Sequence, residues 1–257
     1  MTALLRTEGL TKAYGGVRAL DGATIAVEEG TVAGLIGPNG SGKTTLFNVI
    51  TGYERPDAGE VRFGDRAITG LAPGKVFAAG IGRTFQLTRI FARLTVLENM
   101  LVAAQAKDRP RNLLSWFGRD AWTQHRRHAL DLLEFVGIER HADVLAGSLS
   151  YGQRKLLELA YVLVADPAVI LLDEPAGGVN PTLVNHITDR IRQLNAERGT
   201  TFLLVEHNME FVMGLCSTIT VLESGKDVVS GPPDIVRTDK RVLDAYLGAD
   251  LEEEDSR

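Results

Sequence analysis

Short runs of continuous apolar residues alternate along the chain with longer segments of helical periodicity. The runs at 31–36, 168–172 and 201–205 are typical of strands that are buried on both faces of a sheet. Between the last two runs, apolar residues recur at helical spacing from 183 to 194, and Pro181 suits the first turn of that helix. Because strands alternate with helices, the pattern predicts an α/β domain.

The pattern changes in the middle of the chain and again near its end. From about residue 94 to 165 no run is typical of a strand, and helical patterns surround a single loop at 107–118. After residue 217, two strand-like runs at 218–222 and 227–229 are separated by the turn residues Ser224–Gly225. We therefore predict three parts: an α/β core at 1–93 and 166–248, an inserted helical lobe at 94–165, and an acidic, disordered tail at 249–257.

The composition narrows the classes of function. With a net charge of −5 in 257 residues, the chain lacks the basic surplus that nucleic-acid binding normally requires. No stretch approaches the roughly 20 apolar residues of a membrane-spanning helix, and the start of the chain lacks the pattern of a secretory signal. We expect a cytosolic chain whose single cysteine, Cys216, is buried and unreactive.

A glycine-rich turn follows the first buried run and precedes a helix predicted at 43–51. It matches the pattern G-x-x-x-x-G-K-[ST], in which backbone N–H groups and a helix N-terminus bind phosphate oxygens. Lys43 would bind the β- and γ-phosphates of a nucleotide, and the Thr44 hydroxyl would ligate Mg²⁺. We call residues 37–45 the phosphate loop: Gly37, Pro38, Asn39, Gly40, Ser41, Gly42, Lys43, Thr44 and Thr45.

Two carboxylates end the buried run that begins at 168. A carboxylate at the end of a buried strand costs free energy unless it serves a cation or a proton transfer. Asp173 is placed to hold Mg²⁺ through water, and Glu174 is placed to polarise an attacking water. Beside the phosphate loop, this pair favours a functional site for a metal ion and an attacking water. A phosphate loop alone leaves kinases, GTPases, helicases and transport ATPases open.

The segment Leu149–Ser150–Tyr151–Gly152–Gln153, which we call the signature segment, decides between these classes. It resembles the L-S-G-G-Q segment of ABC ATPases, with Tyr151 in place of the first glycine. Three further residues match that family in order, although each alone would fit an ordinary structural role. They are Tyr14 for the aromatic that stacks on adenine, Gln86 in Thr84–Phe85–Gln86 for the Q-loop, and His207 for the switch histidine.

The departure at Tyr151 points to one branch of the family. Together with the segment 81–86 and the ending Asp244–Ala245–Tyr246–Leu247–Gly248, it resembles the LivG type, the ATPases of branched-chain amino acid importers. Urea or amide importers, and the lipopolysaccharide exporter with its similar ending, stay open as alternatives. A second departure is Asn180, which stands where many members of the family have aspartate; asparagine can form hydrogen bonds there but cannot act as an anion.

The resemblance implies a fold and a set of roles. The fold would be a phosphate-loop NTPase core of the ABC type, with an antiparallel β subdomain and an inserted helical lobe. Glu174 would be the general base, and His207 would sense the γ-phosphate. Mg²⁺ would be held by Thr44, with Gln86 and Asp173 outside. ATP would be bound by Tyr14, the phosphate loop and Gln86, and by Ser150, Tyr151, Gly152 and Gln153 of the opposite subunit.

The resemblance also implies partners. A second ATPase subunit, identical or paralogous, would close head to tail around two MgATP. Residues 86–91 would meet a short helix of a membrane permease, and a solute-binding protein would take part indirectly. The chain would therefore work on the inner face of the cell membrane. Trp116 and Phe117 would contact a partner or pack on their own lobe.

Two other classes of function stay open at this point. A soluble ABC ATPase that acts on nucleic acid or ribosomes would need two fused halves or long coiled coils, which this length and charge do not fit. A small-molecule kinase would need an acceptor site and has no use for the signature segment.

Overall fold

A computed structural model describes residues 3–84, 90–107 and 119–242 of the chain. Its strands are β1 (Ala3–Tyr14), β2 (Val17–Ala23), β3 (Ala26–Glu28), β4 (Val32–Ile36), β5 (Ala58–Phe63), β6 (Arg66–Ala67), β7 (Ile81–Arg83), β8 (Val169–Asp173), β9 (Thr201–Val205), β10 (Thr218–Glu223) and β11 (Lys226–Gly231). Its helices are α1 (Lys43–Ile50), α2 (Pro73–Ala78), α3 (Val96–Lys107), α4 (Arg119–Phe135), α5 (Tyr151–Leu163), α6 (Pro181–Arg198), α7 (Met209–Leu215) and α8 (Pro233–Thr238).

The central sheet has six strands in the order β11-β10-β4-β9-β8-β7. Every pairing in it is parallel except the hairpin of β10 and β11. All residues of β4, β8 and β9 are buried, as the three continuous apolar runs predicted. Their side chains alternate between two cores: in β4, Val32 and Ile36 face one and Ala33 and Leu35 face the other. The predicted α/β class is confirmed.

A second, antiparallel sheet packs against one face of the central sheet. Its strands run in the order β2-β1-β5-β6, and β3 also pairs with β1. Leu5, Leu20 and Val61 from this sheet join Leu46 and Phe47 of α1 in the core that it shares with the central sheet. The antiparallel β subdomain is therefore present, and it packs against α1, the helix that follows the phosphate loop.

Helices α3, α4 and α5 lie where the helical lobe was predicted. Their buried side chains, among them Met100, Leu133 and Leu157, belong to the same apolar cluster as Val32 and Ile36 of the central sheet. The lobe and the sheet thus share one core, and the boundaries 94 and 165 stay a prediction. Across the ranges that the structure describes, no helix is both long and apolar enough to cross a membrane.

Cys216 lies at the end of α7, buried against the central sheet. Its Sγ would be 3.0 Å from a Cβ placed on Gly34 of β4. Burial raises the pKa of this thiol to about 12. The thiolate that reacts with alkylating agents is therefore scarce at neutral pH, as the sequence predicted.

We expect native protein to resist labelling by a maleimide at pH 7.5, and urea-unfolded protein to react rapidly. The cause is burial, which excludes the reagent and disfavours the thiolate. Cys216 is the only cysteine, so mass spectrometry of the intact chain reports this site alone. Equal labelling rates in native and unfolded protein would contradict the buried position.

Candidate active site

The phosphate loop connects β4 to α1 in a tightly packed turn. A Cβ on Gly37 would lie 2.0 Å from the Leu222 carbonyl oxygen, and a Cβ on Gly42 would lie 2.2 Å from that of Ala19. Both glycines have positive φ, 152° and 104°, which other residues rarely adopt. The Ser41 carbonyl accepts a hydrogen bond of 2.9 Å from the Gly225 N–H in the β10–β11 turn. Backbone from two other strands thus fixes the shape of the loop.

The Lys43 ammonium is folded over this loop. Its Nζ donates to the carbonyl oxygens of Gly37 and Pro38, both at 2.8 Å, and lies 3.3 Å from Ser41 Oγ. Burial lowers the pKa of Lys43, and the charges of Glu174 and Asp173 oppose that shift. The loop therefore places a cation next to a helix N-terminus, and both favour the binding of a polyphosphate.

Tyr14 and the threonines of the loop lie at its edge. The Tyr14 ring is 43% exposed, with Lys12 Nζ 5.4 Å from its centroid. Partial burial and the Glu54 carboxylate raise the pKa of Tyr14, while a hydrogen bond with Thr45 lowers it. Tyr14 is thus next to the start of α1, with an accessible ring face. Thr44, in the first turn of α1, is exposed.

Asp173 is held by a side chain that the sequence analysis missed. Arg83 Nη2 donates to Asp173 Oδ2 at 2.8 Å, and the two side chains are only 6% and 5% exposed. Arg83 Nη1 also donates to Asn48 Oδ1 of α1 at 2.7 Å and to Oγ1 of Thr51, which caps the C-terminus of that helix, at 3.1 Å. The neighbouring Thr84 accepts from the Asp173 N–H at 3.2 Å. Arg83, at the end of β7, therefore links the Asp173 carboxylate to α1 through hydrogen bonds.

Glu174 and His207 follow adjacent strands and lie side by side. Asp173 pairs with Val205 in the sheet, and the Glu174 N–H donates to the Val205 carbonyl at 2.9 Å. His207 Nδ1 is 3.9 Å from Glu174 Oε1 and 3.9 Å from Glu206 Oε2. The buried Glu206 accepts from the Ala176 N–H at 2.6 Å, so it braces the loop that follows Glu174.

The signature segment starts α5 with a reciprocal cap. Ser150 Oγ accepts from the Gln153 N–H at 3.3 Å, and Gln153 Oε1 accepts from the Ser150 N–H at 2.9 Å. Gln153 Nε2 also contacts His141 Nε2 at 3.1 Å. Tyr151 is 41% exposed, and Gly152 lies against Leu183 of α6. The segment is therefore pre-shaped, and Ser150 and Tyr151 in it are open to solvent.

Of two residues that the sequence analysis singled out, Asn180 lies within the described residues and Gln86 does not. Asn180 caps α6, because its Oδ1 accepts from the Leu183 N–H at 2.9 Å. Gln86 lies outside the described residues, together with most of the predicted permease-contact segment, the ending at 244–248, Trp116 and Phe117, and the predicted tail.

Comparison with known proteins places this arrangement in a family. The profile of the "ABC transporter" family matches residues 20–177, which is more than half of the chain. The chain belongs to the ABC transporter family. As a member of that family it is an ATPase, as the sequence predicted.

Individual relatives of this ABC ATPase agree with the LivG resemblance. The high-affinity branched-chain amino acid transport ATP-binding protein BraF of Pseudomonas aeruginosa is 38% identical over 249 residues, covering 95% of this chain and 98% of BraF. LivG of Salmonella typhimurium, with the same description, is 36% identical over 249 residues, with the same coverage. The resemblance stated from the sequence is confirmed.

Solved structures agree with the ABC ATPase fold. The ADP conformation of MJ1267, an ATP-binding cassette of an ABC transporter, superposes with a TM-score of 0.84 at 35% identity, covering 96% of this chain and all of that one. The dimeric post-hydrolysis state of the cassette MJ0796, bound to ADP and Pi, has a TM-score of 0.78 at 26% identity, covering 89% of this chain and 98% of that one.

We expect Arg83→Met to lower the free energy of unfolding by about 3–5 kcal/mol, because it leaves the buried Asp173 carboxylate without its counterion. Urea denaturation followed by circular dichroism measures the change. In the double variant with Asp173→Asn the loss should be smaller than the sum of the single losses. Arg66→Met, at an exposed position of β6, is the control. A loss below about 1 kcal/mol in Arg83→Met would mean that the pair contributes no more than a surface ion pair.

Proposed function

We propose that this chain is the ATP-hydrolysing subunit of an importer of branched-chain or other amino acids. In this proposal it dimerises around two MgATP and drives transport through separate membrane subunits. The observation that carries the proposal is the convergence of Lys43, Asp173, Glu174 and His207 at one edge of the central sheet. The amino-acid substrate is supported by the similarity to BraF and LivG.

The described residues fit ATP and its metal. The accessible face of Tyr14 suits the flat adenine, and the amides of the phosphate loop with the Lys43 ammonium suit the phosphates. Thr44 would ligate Mg²⁺ directly, and Asp173 would hold it through water, together with Gln86 from outside the described residues. Bound there, Mg²⁺ would neutralise phosphate charge as hydrolysis proceeds.

Glu174 is the proposed general base. In-line attack on the γ-phosphate requires a positioned water and little covalent chemistry from the protein. The Glu174 carboxylate would accept the proton of that water, and His207 would donate a hydrogen bond to a γ-phosphate oxygen. The 3.9 Å between His207 Nδ1 and Glu174 Oε1 supports this division of roles, since both groups face the same space.

The second half of each nucleotide site would come from another subunit. Ser150, Gly152 and Gln153 form a pre-shaped N-terminus of α5 at which Ser150 is exposed, which is suited to a phosphate presented from outside the chain. The dimer of the related cassette MJ0796 supports such an arrangement. The partner would be a second copy or a paralogue of this chain.

A groove between the core and the helical lobe is the proposed docking site for the membrane subunits. It encloses about 330 Å³ and is lined by apolar side chains of α2, β7 and α5, including Phe77, Ile81 and Tyr161. Ile90 lines it as well, and the exposed Phe91 follows in sequence. An amphipathic helix of a permease would fit it. The chain would then sit in the cytoplasm against the inner face of the membrane. A solute-binding protein would act only through the permeases, and no nucleic acid would take part.

We expect Glu174→Gln to lower ATP hydrolysis by about 10²–10⁴, because glutamine cannot accept the proton of the attacking water. The phosphate loop is unchanged, so MgATP should still bind with an affinity close to that of the unaltered chain. Phosphate release measures turnover, and size-exclusion chromatography with MgATP or MgADP measures dimer closure. Rapid hydrolysis by this variant would transfer the role of base to Asp173 or His207.

The transport half of the proposal has its own test. The chain and the membrane subunits encoded beside its gene are reconstituted in liposomes with the accompanying solute-binding protein. We expect MgATP to drive leucine uptake, and the Glu174→Gln variant to abolish it. Uptake of urea or a short amide without leucine would favour the alternative importer. Lipid extraction without uptake of any of these solutes would favour an exporter.

A further inference from the structure

The first turns of α5 are fastened to the loop that follows β8 in the same chain. Lys155 is only 7% exposed, and its Nζ donates to the Glu174 carbonyl oxygen at 3.0 Å. One turn earlier, the Tyr151 ring lies against Gly178, where an added Cβ would be 3.2 Å from Tyr151 Cε1. Lys155 Nζ is 5.7 Å from the centroid of that ring. We call Tyr151 and Lys155 the α5 clamp.

The clamp contacts the loop in which Glu174 adopts an unusual backbone conformation. Glu174 has φ of 48°, which residues other than glycine seldom adopt and which persists only where surrounding contacts enforce it. The Glu174 N–H is bonded to the Val205 carbonyl, and its own carbonyl accepts from the Lys155 ammonium. The peptide groups on both sides of the Glu174 Cα are therefore fixed, and with them the direction in which its side chain leaves the backbone.

Tyr151 secures the far end of the same loop. Gly178 has φ of 70°, and its lack of a side chain lets the aromatic ring approach the backbone. A glycine at 151, as in the L-S-G-G-Q pattern, would leave this contact unmade. Because residue 151 is tyrosine here, α5 makes a second contact with residues 174–178, in addition to the hydrogen bond from Lys155.

We infer that Tyr151 and Lys155 are positioning residues for Glu174, so that the placement of α5 sets the orientation of the general base in the same subunit. The inference rests on the proposed function, in which Ser150 and Gly152 at the start of α5 contact the nucleotide of the opposite subunit. A phosphate that draws in this end of α5 would also seat Glu174 against its own nucleotide. Occupancy of one site would then prepare the base of the other.

Lys155→Met tests the clamp, because methionine keeps the apolar stem and removes the donor. We expect kcat to fall by about tenfold to a hundredfold, since a misplacement of about 1 Å can cost about 10² in rate. ATP affinity should stay within about twofold, because no contact of the phosphate loop is removed. Lys155→Arg restores a donor and should recover most of kcat. Tyr151→Gly should lower kcat less than Lys155→Met, and the exposed Lys240→Met is the matched control.

Three measurements decide the outcome: kcat and KM for ATP, nucleotide affinity, and the urea midpoint of unfolding. A kcat within about twofold of normal in Lys155→Met would overturn the inference. An equal fall of kcat in Lys155→Arg and Lys155→Met would also overturn it. So would parallel losses of ATP affinity and kcat, because either result indicates that Lys155 has only a structural role. Should Lys155→Met fail to fold, Tyr151→Gly decides: a kcat within about twofold of normal, or parallel losses of ATP affinity and kcat, would overturn the inference. Glu174→Gln is assayed in parallel. Rapid ATP hydrolysis by Glu174→Gln would overturn both the assigned base and this inference. Slow hydrolysis by Glu174→Gln together with a normal kcat in Lys155→Met would overturn the inference alone.

Discussion

Parallel pairing of β4, β9 and β8 is the constraint on which the site depends. In parallel strands all carboxyl ends lie at one edge, and the register here sets Leu35 beside Val205 and Val205 beside Asp173. The chain leaves each strand at the same level, so the phosphate loop, His207 and Glu174 emerge together. Sites at this edge are general for open α/β sheets.

The sequence predicted those parts of the fold whose cause is local. Continuous apolar runs identify β4, β8 and β9, since a strand buried on both faces has no polar side to show. The phosphate loop and the two carboxylates follow from spacing alone. Strand β1 carries polar residues on exposed positions and is defined by its neighbours in the antiparallel sheet, so its own pattern predicts it poorly. Sheet order, too, depends on packing between distant segments.

The contacts that the sequence did not predict are long-range and polar. Arg83 and Asp173 are 90 residues apart, and Lys155 reaches the Glu174 backbone across 19 residues. The periodicity of apolar residues does not predict polar contacts between residues so far apart in sequence. A buried cationic residue is nevertheless costly without an acceptor, so Arg83 directly after two apolar strand positions was a usable signal. The roles of the site residues, Gln86 and the switch histidine included, stay predictions that rest on the family resemblance.

The close packing behind the phosphate loop has a thermodynamic consequence. Gly37 and Gly42 press on the carbonyls of Leu222 and Ala19, and the β10–β11 turn bonds to both Ser41 and Asp21. These contacts within the folded chain constrain the shape of the loop. The conformational entropy of about 1–2 kcal/mol per ordered residue is lost during folding, so binding does not have to supply it again. Pre-organisation of this kind favours fast association, because an arriving polyphosphate meets amides that are already aligned. The same packing leaves no room for a side chain at Gly37 or Gly42.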